Sequence, residues 1–310
     1  MVGKLHMVSA YLFLLIPVTI WGSNFVVGSW LVGQFHPLVL ATIRILFTSS
    51  FLLGFAFFTH RLVRIKKREW TYLLLIGFVG TLLNQTFFFQ ALSYTSATEA
   101  ALIMSLAPIV TSILAYFFLR EPLSIRMIIG SMIAVSGVYM LVAFGKQQAA
   151  IGLGDLLAGG AMLTFAISLI LIRKLTQTLE SIPTTVYSTV FGACMFIPVA
   201  YVSDQHPVIA HSVWPWILAA LSGVLSQGLG GLLWNQGITK VGASKASIFL
   251  NFQPFVAMIV GYIALGLPIT RAQLVGSTLI VFGVILATLR IQAMKQTKIE
   301  PPNPVRKFVQ

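Results

Sequence analysis

The sequence predicts an all-α membrane protein with ten transmembrane helices, arranged as two inverted five-helix repeats. Three observations predict this fold class: the composition, a series of ten apolar runs and a weak internal repeat. Of the 310 residues, 57% are hydrophobic and only 9% are charged, whereas about 25% of the residues in a typical soluble protein are charged. So few charges cannot cover a soluble surface. We therefore expect the chain to lie in a lipid bilayer.

The apolar runs define the predicted helices. A helix needs about 20 mainly apolar residues to cross a membrane, and the gaps between these runs are too short to hold a soluble domain. The first run is too long for a signal-peptide core and no A-x-A cleavage site follows it, so we interpret it as a retained span. The polar, basic segment 292–310 is predicted to be a disordered cytoplasmic tail. The runs cover residues 9–32, 38–59, 70–92, 96–119, 125–144, 153–172, 183–203, 214–236, 244–266 and 272–291.

The basic residues predict the orientation. If the N-terminus is cytoplasmic, 17 of the 20 Lys and Arg residues lie on the cytoplasmic side, Lys146 and Arg271 lie outside, and Arg44 lies within a span. This asymmetry is the positive-inside pattern of a multi-pass protein of the cell membrane with both termini in the cytoplasm. The charges flank apolar runs, so the net charge of +13 does not indicate nucleic-acid binding. The single cysteine, Cys194, excludes an intrachain disulfide.

The chain also repeats itself. Shifting the sequence by 146 residues pairs 14 identical residues over positions 90–138, including Pro108 with Pro254 and Gly137 with Gly283. The repeats are residues 9–144 and 153–291, and the second must be inverted because five spans is an odd number. Inverted repeats with a site near the membrane midplane are typical of transporters. Pro108 and Pro254 are candidate hinges, because proline interrupts a helix; static kinks are the alternative.

Polar and aromatic residues inside the spans are candidates for substrate binding. Polar side chains in hydrocarbon usually face the interior of a bundle, and amides both donate and accept hydrogen bonds. Aromatic rings could stack on an apolar part of a substrate. Interhelical hydrogen bonds and ordinary packing are the alternatives. The predicted substrate-binding residues are Trp21, Asn24, Asn84, Gln85, Phe88, Gln90, Phe165, Gln227, Trp234, Asn235, Gln236, Asn251 and Gln253.

Three charged residues are candidates for gating or charge recognition. Arg44 lies in a span, at a cost of at least about 2.5 kcal/mol unless it is satisfied, so it should bind helix carbonyls, Glu121 or a substrate carboxylate. Glu99 could bind a proton or an amine, but Ser96 three residues earlier makes a helix capping box the favoured interpretation. Its repeat mate, Lys245, could gate the inner mouth or extend to the cytoplasmic surface.

Several motifs resemble the bacterial ten-span EamA family of the drug/metabolite transporter superfamily. They are W-G-S-N-F at residues 21–25, I-R-I at 43–45, A-L-S-Y-T-S-A at 91–97, L-A-P at 106–108 and E-P-L at 121–123. The resemblance covers residues 10–291 and implies a bundle of five plus five helices that moves small metabolites, often outward. The second half departs from the pattern, because Leu267 stands where an acidic residue is often found and Phe165 replaces an expected tryptophan.

An enzyme is not expected. The histidines lie at span ends or in loops, and the chain has neither an H-E-x-x-H motif nor a phosphate-binding loop. We predict no cofactor and no metal; the expected partners are a small-molecule substrate and the lipid bilayer, and the oligomeric state is open. The favoured function is export of amino acids, related amphipathic compounds or drugs by alternating access. The alternatives are a lipid-linked or nucleotide-linked sugar carrier, and a membrane sensor or assembly subunit that transports nothing.

Overall fold

The computed structural model describes residues 2–145, 152–203 and 208–288, and in these ranges every regular element is helical. Polar tail residues 292–310 and Lys146 lie outside the described residues. The α-helices are α1 (Val2–Leu31), α2 (Pro37–Phe58), α3 (Lys67–Leu75), α4 (Asn84–Tyr94), α5 (Ala97–Met104), α6 (Ala107–Leu119), α7 (Ile125–Gly145), α8 (Leu153–Leu175), α9 (Ser181–Ser203), α10 (Val213–Gly223), α11 (Gly231–Val241), α12 (Ala243–Ile248), α13 (Gln253–Leu265) and α14 (Arg271–Thr288).

Within the described ranges, seven helices are long and apolar enough to cross a membrane. They cover Phe13–Leu31, Pro37–Phe58, Lys67–Tyr94, Ala97–Leu119, Leu153–Leu175, Ser181–Val199 and Val213–Val241. Three shorter apolar helices, Ile125–Gly137, Phe249–Leu265 and Leu274–Gly283, lie at three other predicted spans. The protein is therefore an all-α, multi-pass membrane protein, as the composition predicts.

Three of these long helical segments, and also the segment α12–α13, depart from regular α-helix. A π-helical stretch at Ile76–Leu83 joins α3 to α4, and another at Val224–Gly230 joins α10 to α11. A turn at 105–106 separates α5 from α6, and a 3-10 turn at Phe249–Phe252 separates α12 from α13. Pro108 and Pro254 are each the second residue of the helix that restarts after the turn. Proline is tolerated there, since the first N–H groups of a helix have no intrahelical partner.

Helix α1 lies at the centre of the bundle. It packs against α4, α5, α11, α13 and the second π-helical stretch, while α2 packs on α9 and α4 packs on α8. The α7–α14 pair forms a unit of its own, with few neighbours in the remainder of the bundle. The main buried core surrounds Phe25, Leu40 and Phe89, and a second core surrounds Leu14 and Trp234. The segments of both halves therefore converge around one central helix.

Gly77 and Gly223, which are 146 residues apart, make similar close contacts. A Cβ added at Gly77 would lie 2.9 Å from the carbonyl oxygen of Ser188, and one at Gly223 would lie 2.8 Å from that of Arg44. In the α7–α14 contact, a Cβ at Gly137 would lie 2.7 Å from the carbonyl oxygen of Gly276. Close approach of helix backbones at small residues is a common packing mode in membranes.

The ends of the restarted helices are equivalent as well. Arg120 follows the last residue of α6 and Gly266 follows that of α13, and both C-cap residues have a left-handed conformation, with φ of 56° and 63°. Arg120 and Gly266 are again 146 residues apart. Glycine adopts this conformation at no steric cost, whereas arginine does not. These two helix ends thus have the same backbone conformation even though their side chains differ.

Candidate functional site

A cavity with two lobes lies between the helices around α1. The first lobe has a volume of about 50 Å³ and the second about 80 Å³, which is room for several water molecules in each. Trp21, Asn84, Phe165 and Gln227 line both lobes. These four residues come from α1, α4, α8 and the second π-helical stretch, so both halves of the chain form the waist of the cavity.

The rings of Phe165 and Trp234 both contact that of Trp21, and we call these three residues the aromatic box. Trp21 and Phe165 lie at the waist, and Trp234 lines the second lobe. The ring of Trp21 lies 5.0 Å from that of Trp234 and 5.8 Å from that of Phe165, measured between centroids. The Phe165 contact is edge-to-face, a favoured geometry for aromatic pairs. The indole N–H of Trp21 donates to the carbonyl oxygen of Ser226 at 2.8 Å, which fixes the orientation of the ring. The buried indole N–H of Trp234 has no hydrogen-bond partner.

Amide side chains line both lobes. Asn84 donates to the carbonyl oxygen of Ala161 at 2.8 Å and accepts from Gln85 at 3.1 Å. Asn235 donates to the hydroxyl of Thr185 at 2.8 Å. These contacts hold the amides in fixed orientations. The carbonyl oxygen of the Gln253 side chain differs, because it is buried, lines the first lobe and has no hydrogen-bond partner.

The Arg44 side chain is buried next to Asn24, which lines the first lobe, but does not line the lobe itself. Its guanidinium donates to the side-chain oxygen of Asn24 at 2.7 Å and to the hydroxyl of Ser226 at 2.9 Å, and it also binds Ser222. The ring of Phe89 lies 5.0 Å from its central carbon. Asn24, which lines the cavity, therefore separates the buried charge from the first lobe.

Some residues predicted to bind substrate lie elsewhere. Gln90 lines a separate groove of about 420 Å³ where α4 ends and α2 and α8 begin. Gln236 lines neither lobe of the cavity. Asn251 is buried in the 3-10 turn, and its side-chain oxygen has no partner. The side chain of Lys245 lies outside the described residues.

The acidic residues of the described ranges have structural contacts. Glu99 forms the capping box of α5, in which its backbone N–H donates to the Ser96 hydroxyl at 3.2 Å. Glu69 and Asp155 accept from the backbone N–H groups at the starts of α3 and α8. Glu121 lies 3.7 Å from Arg173, and Glu180 lies 3.0 Å from Arg61. Glu121 is therefore the partner of Arg173, not of Arg44.

One known protein family matches both halves of the chain. The sequence matches the EamA-like transporter family over residues 8–143 and again over residues 152–289. The chain belongs to the EamA-like transporter family. The members of this family are transporters and not enzymes. This agrees with the sequence, in which we find no catalytic motif.

Similar proteins cover nearly the whole chain. An uncharacterized transporter, YyaM of Bacillus subtilis, is 31% identical over 86% of this chain and 89% of its own length. A WAT1-related protein of Arabidopsis thaliana, At4g01440, is 25% identical over 88% of this chain and 84% of its own. One solved crystal structure shares the fold, with a TM-score of 0.73 at 18% identity, covering 91% of this chain and 96% of the other.

The cavity of this EamA-like transporter includes residues that sequence reasoning missed. The second lobe is lined by hydroxyl groups, several from α9, which the sequence did not place at the cavity. Most of these hydroxyls donate to carbonyls of the preceding helical turn, as that of Thr185 does to Ser181 at 2.9 Å. The sequence does contain a signal for this lining, because hydroxyl residues three and four positions apart share one helix face. The hydroxyl residues are Thr81, Ser168, Thr185, Ser188 and Thr189.

The arrangement suits a small amphipathic ligand. An apolar group in the cavity can contact the rings of Trp21 and Phe165, which line both lobes, and aromatic ring pairs are worth about 0.5–1.5 kcal/mol beyond area burial. The first lobe offers amides, and the second lobe offers both amides and hydroxyls. Uncharged donors and acceptors around aromatic rings fix the orientation of a ligand, as in typical small-molecule sites.

Proposed function

We propose that this protein is a secondary transporter that exports small amphipathic metabolites, namely amino acids, related compounds or drugs, by alternating access. The observation that supports this best is the cavity waist, where Trp21 and Asn84 of the first half meet Phe165 and Gln227 of the second. A site shared between repeats is where secondary transporters bind their substrates. The substrate would pack against the aromatic box and be oriented by the amides.

The same proposal includes ten spans in two inverted repeats. The seven long helices and three shorter ones fall at the ten predicted spans. The contacts of Gly137 with Gly276 and of Gly283 with Gly130 exchange under the 146-residue shift and support a two-fold relation between the halves. The double match to one family, over 8–143 and 152–289, supports it too. The excess of basic residues supports a cytoplasmic position for both termini and a location in the cell membrane.

Alternating access needs points at which helices can rearrange. The turns before α6 and α13 already interrupt the backbone ladder, so α6 and α13 could tilt without breaking hydrogen bonds in the middle of a helix. We therefore assign the hinges to the turns that precede Pro108 and Pro254. Discontinuous helices near the midplane serve this purpose in other transporter folds.

The other two functions have less support. A nucleotide or lipid phosphate needs several basic groups, and Arg44 is the one basic side chain of the described residues that contacts a lining residue of the central cavity. A sensor or assembly subunit would have a closed interior with its amides paired. Asn84 and Gln85 do pair, but the two open lobes beside them favour a ligand site.

A binding screen followed by a flux assay tests the proposal. Purified protein would be heated with a panel of metabolites and drugs, since a ligand of the native state raises the melting temperature with concentration. Hits would then be assayed for saturable exchange in liposomes. Trp21→Ala should abolish binding, whereas Trp214→Ala, a change at an exposed ring, should not. No saturable flux of any panel compound in either direction would contradict the proposal.

A further inference from the structure

Within the part of the chain that the structure describes, the buried charge beside the cavity has no carboxylate among its partners. The Arg44 side chain is 1% exposed, and its partners are the side chains of Asn24, Ser222 and Ser226 and the ring of Phe89. The acidic residues of the described ranges cap helices or lie beside Arg61 and Arg173. A buried charge is costly unless it is paired. Within the described residues, Arg44 is compensated by dipoles alone.

The guanidinium of Arg44 carries an N–H donor that makes no hydrogen bond. An arginine carries five N–H donors in a fixed fork. The Nε of Arg44 is buried and has no hydrogen-bond partner. It shares one edge of the fork with Nη2, which donates to the side-chain oxygen of Asn24. That edge is one of those with which arginine binds both oxygens of a carboxylate.

Asn24 connects this edge to the cavity. Its side chain lines the first lobe together with Trp21 and Phe88, so a ligand in the lobe reaches Asn24 before it reaches Arg44. In this structure the amide oxygen of Asn24 occupies the position, 2.7 Å from Nη2, that a carboxylate oxygen would take. Rotation of the Asn24 side chain would let a ligand carboxylate accept from Nη2 with one oxygen and from Nε with the other.

We propose that Arg44 and Asn24 form a carboxylate subsite, and that this transporter selects small aromatic or apolar carboxylates. The carboxylate binds Arg44, and the ring of the ligand packs against Trp21 and Phe165, which line the same lobe as Asn24. The recognised charge is the carboxylate; an amine on the same ligand is optional and can donate to the unpartnered oxygen of Gln253. This inference rests on the proposed function and adds the substrate class.

Three probes of matched shape test the charge preference: 3-phenylpropanoate, 3-phenylpropanamide and 3-phenylpropylamine. Hydrogen bonds to charged groups lead us to expect a Kd about 10- to 100-fold lower for the acid than for the amide in thermal-shift titrations. The amine should bind most weakly, because it would meet Arg44 as a like charge. Arg44→Gln should remove the preference for the acid. Equal affinity for the three probes in the unchanged protein would overturn the subsite.

Asn24→Asp is the sharper variant, because it keeps the shape and places a carboxylate next to Arg44. We expect a higher melting temperature, loss of binding of 3-phenylpropanoate and retained binding of the amide. Gln34→Glu makes the same chemical change in the turn after α1 and should leave the preference for the acid unchanged. If Asn24→Asp binds the acid as tightly as the unchanged protein does, the subsite is wrong, whether or not Arg44→Gln folds.

Liposome flux separates this inference from the proposed function. Saturable flux of the amide or the amine but not of the acid would overturn the subsite and leave transport standing. Preferential binding of the acid, lost in Asn24→Asp, would support the subsite even without flux. In that case the absence of saturable flux for every panel compound would contradict transport alone.

Discussion

At the scale of single residues, two adjacent tryptophans differ in one hydrogen bond. Trp21 and Trp234 have ring centroids 5.0 Å apart and both line the second lobe. The indole N–H of Trp21 donates to the carbonyl oxygen of Ser226, whereas that of Trp234 is buried without a partner. A buried donor without a partner costs about 1–3 kcal/mol. The two indoles therefore offer a matched pair for measuring what this bond contributes.

Phenylalanine should replace the two tryptophans with different effects. Trp21→Phe removes the donor to Ser226, whereas Trp234→Phe removes a donor that has no partner. Both changes remove similar ring volume, so the difference between them isolates the hydrogen bond. We expect Trp21→Phe to destabilise the protein by about 1 kcal/mol more than Trp234→Phe, measured by thermal or denaturant unfolding in detergent. Equal losses of stability would show that the bond to Ser226 contributes nothing.

Glu99 should matter for stability and not for transport. Its carboxylate accepts from the backbone N–H of Ser96, and glutamine can fill the same position of a capping box. Glu99→Gln should therefore keep both the melting temperature and flux, while Glu99→Ala should cost about 1 kcal/mol. Flux measured in liposomes, normalised to folded protein, would decide the point. Loss of flux in a stable Glu99→Gln variant would indicate a gate or a proton carrier.

At the scale of helical elements, the two π-helical stretches set the shape of the cavity. They lie in the segments α3–α4 and α10–α11 and contribute Gly80, Thr81 and Gln227 to its lining. Wider π turns change which side chains face inward, and such turns are frequent at functional sites. The carbonyl oxygen of Ser226, the acceptor for Trp21, belongs to one of these stretches. The aromatic box therefore depends on backbone geometry that hydropathy does not encode.

The α7–α14 pair depends on glycine. A Cβ added at Gly137 would lie 2.7 Å from a carbonyl oxygen of α14, and one at Gly283 would lie 2.4 Å from a carbonyl oxygen of α7. Gly137→Ala and Gly283→Ala should each force these helices apart and destabilise the protein by about 1–3 kcal/mol. Gly54→Ala is the control, since its added Cβ meets nothing within 4 Å.

The melting temperature of the control variant, Gly54→Ala, should change in the opposite direction. Alanine is preferred to glycine inside a helix by about 0.5–1 kcal/mol, so Gly54→Ala should raise the melting temperature slightly. All three variants make the same chemical change in an apolar helix, so unfolding in one detergent compares them directly. If the three shift the melting temperature alike, the close backbone approach of α7 and α14 is wrong.

At the scale of the whole molecule, the sequence predicts the helices better than the cavity. Apolar runs predict where chain segments cross the bilayer, because the hydrocarbon imposes length and composition on each one. The pattern also selects Trp21, Asn24 and Gln227, which the structure brings to one cavity. Hydropathy does not show which face of a helix points inward, so Gln90 was predicted to line the cavity although it lies in a separate groove.

The hydroxyl residues of the second lobe were not predicted for a similar reason, because hydropathy does not show which face of a helix points inward. Hydroxyl groups of α9 donate hydrogen bonds to carbonyl oxygens of their own helix, as that of Ser188 does to Thr184 at 2.7 Å. They are therefore tolerated in a lipid-facing position as well as in a cavity, and their presence alone does not choose between the two. The π-helical stretches rotate the side chains that follow by part of a helical turn. These stretches depend on tertiary packing, and no sequence motif predicts them.

The number of spans decides where the C-terminus lies. The 18 residues of α14 cover about 27 Å at 1.5 Å per residue, close to the hydrocarbon thickness of about 30 Å. If α7, α12–α13 and α14 all cross the membrane, there are ten spans and the C-terminus lies on the same side as the N-terminus. If only the seven long helices cross, the two termini lie on opposite sides.

Reporter fusions distinguish these arrangements. Green fluorescent protein folds in the cytoplasm and alkaline phosphatase is active outside it, so each reporter can be fused after residue 147 and after residue 310. Ten spans with a cytoplasmic N-terminus predict phosphatase activity at 147 and fluorescence at 310. Seven spans with the same N-terminus predict the reverse at both positions. The first result would also place the hydroxyl-lined second lobe on the cytoplasmic side, since it extends toward the start of α9.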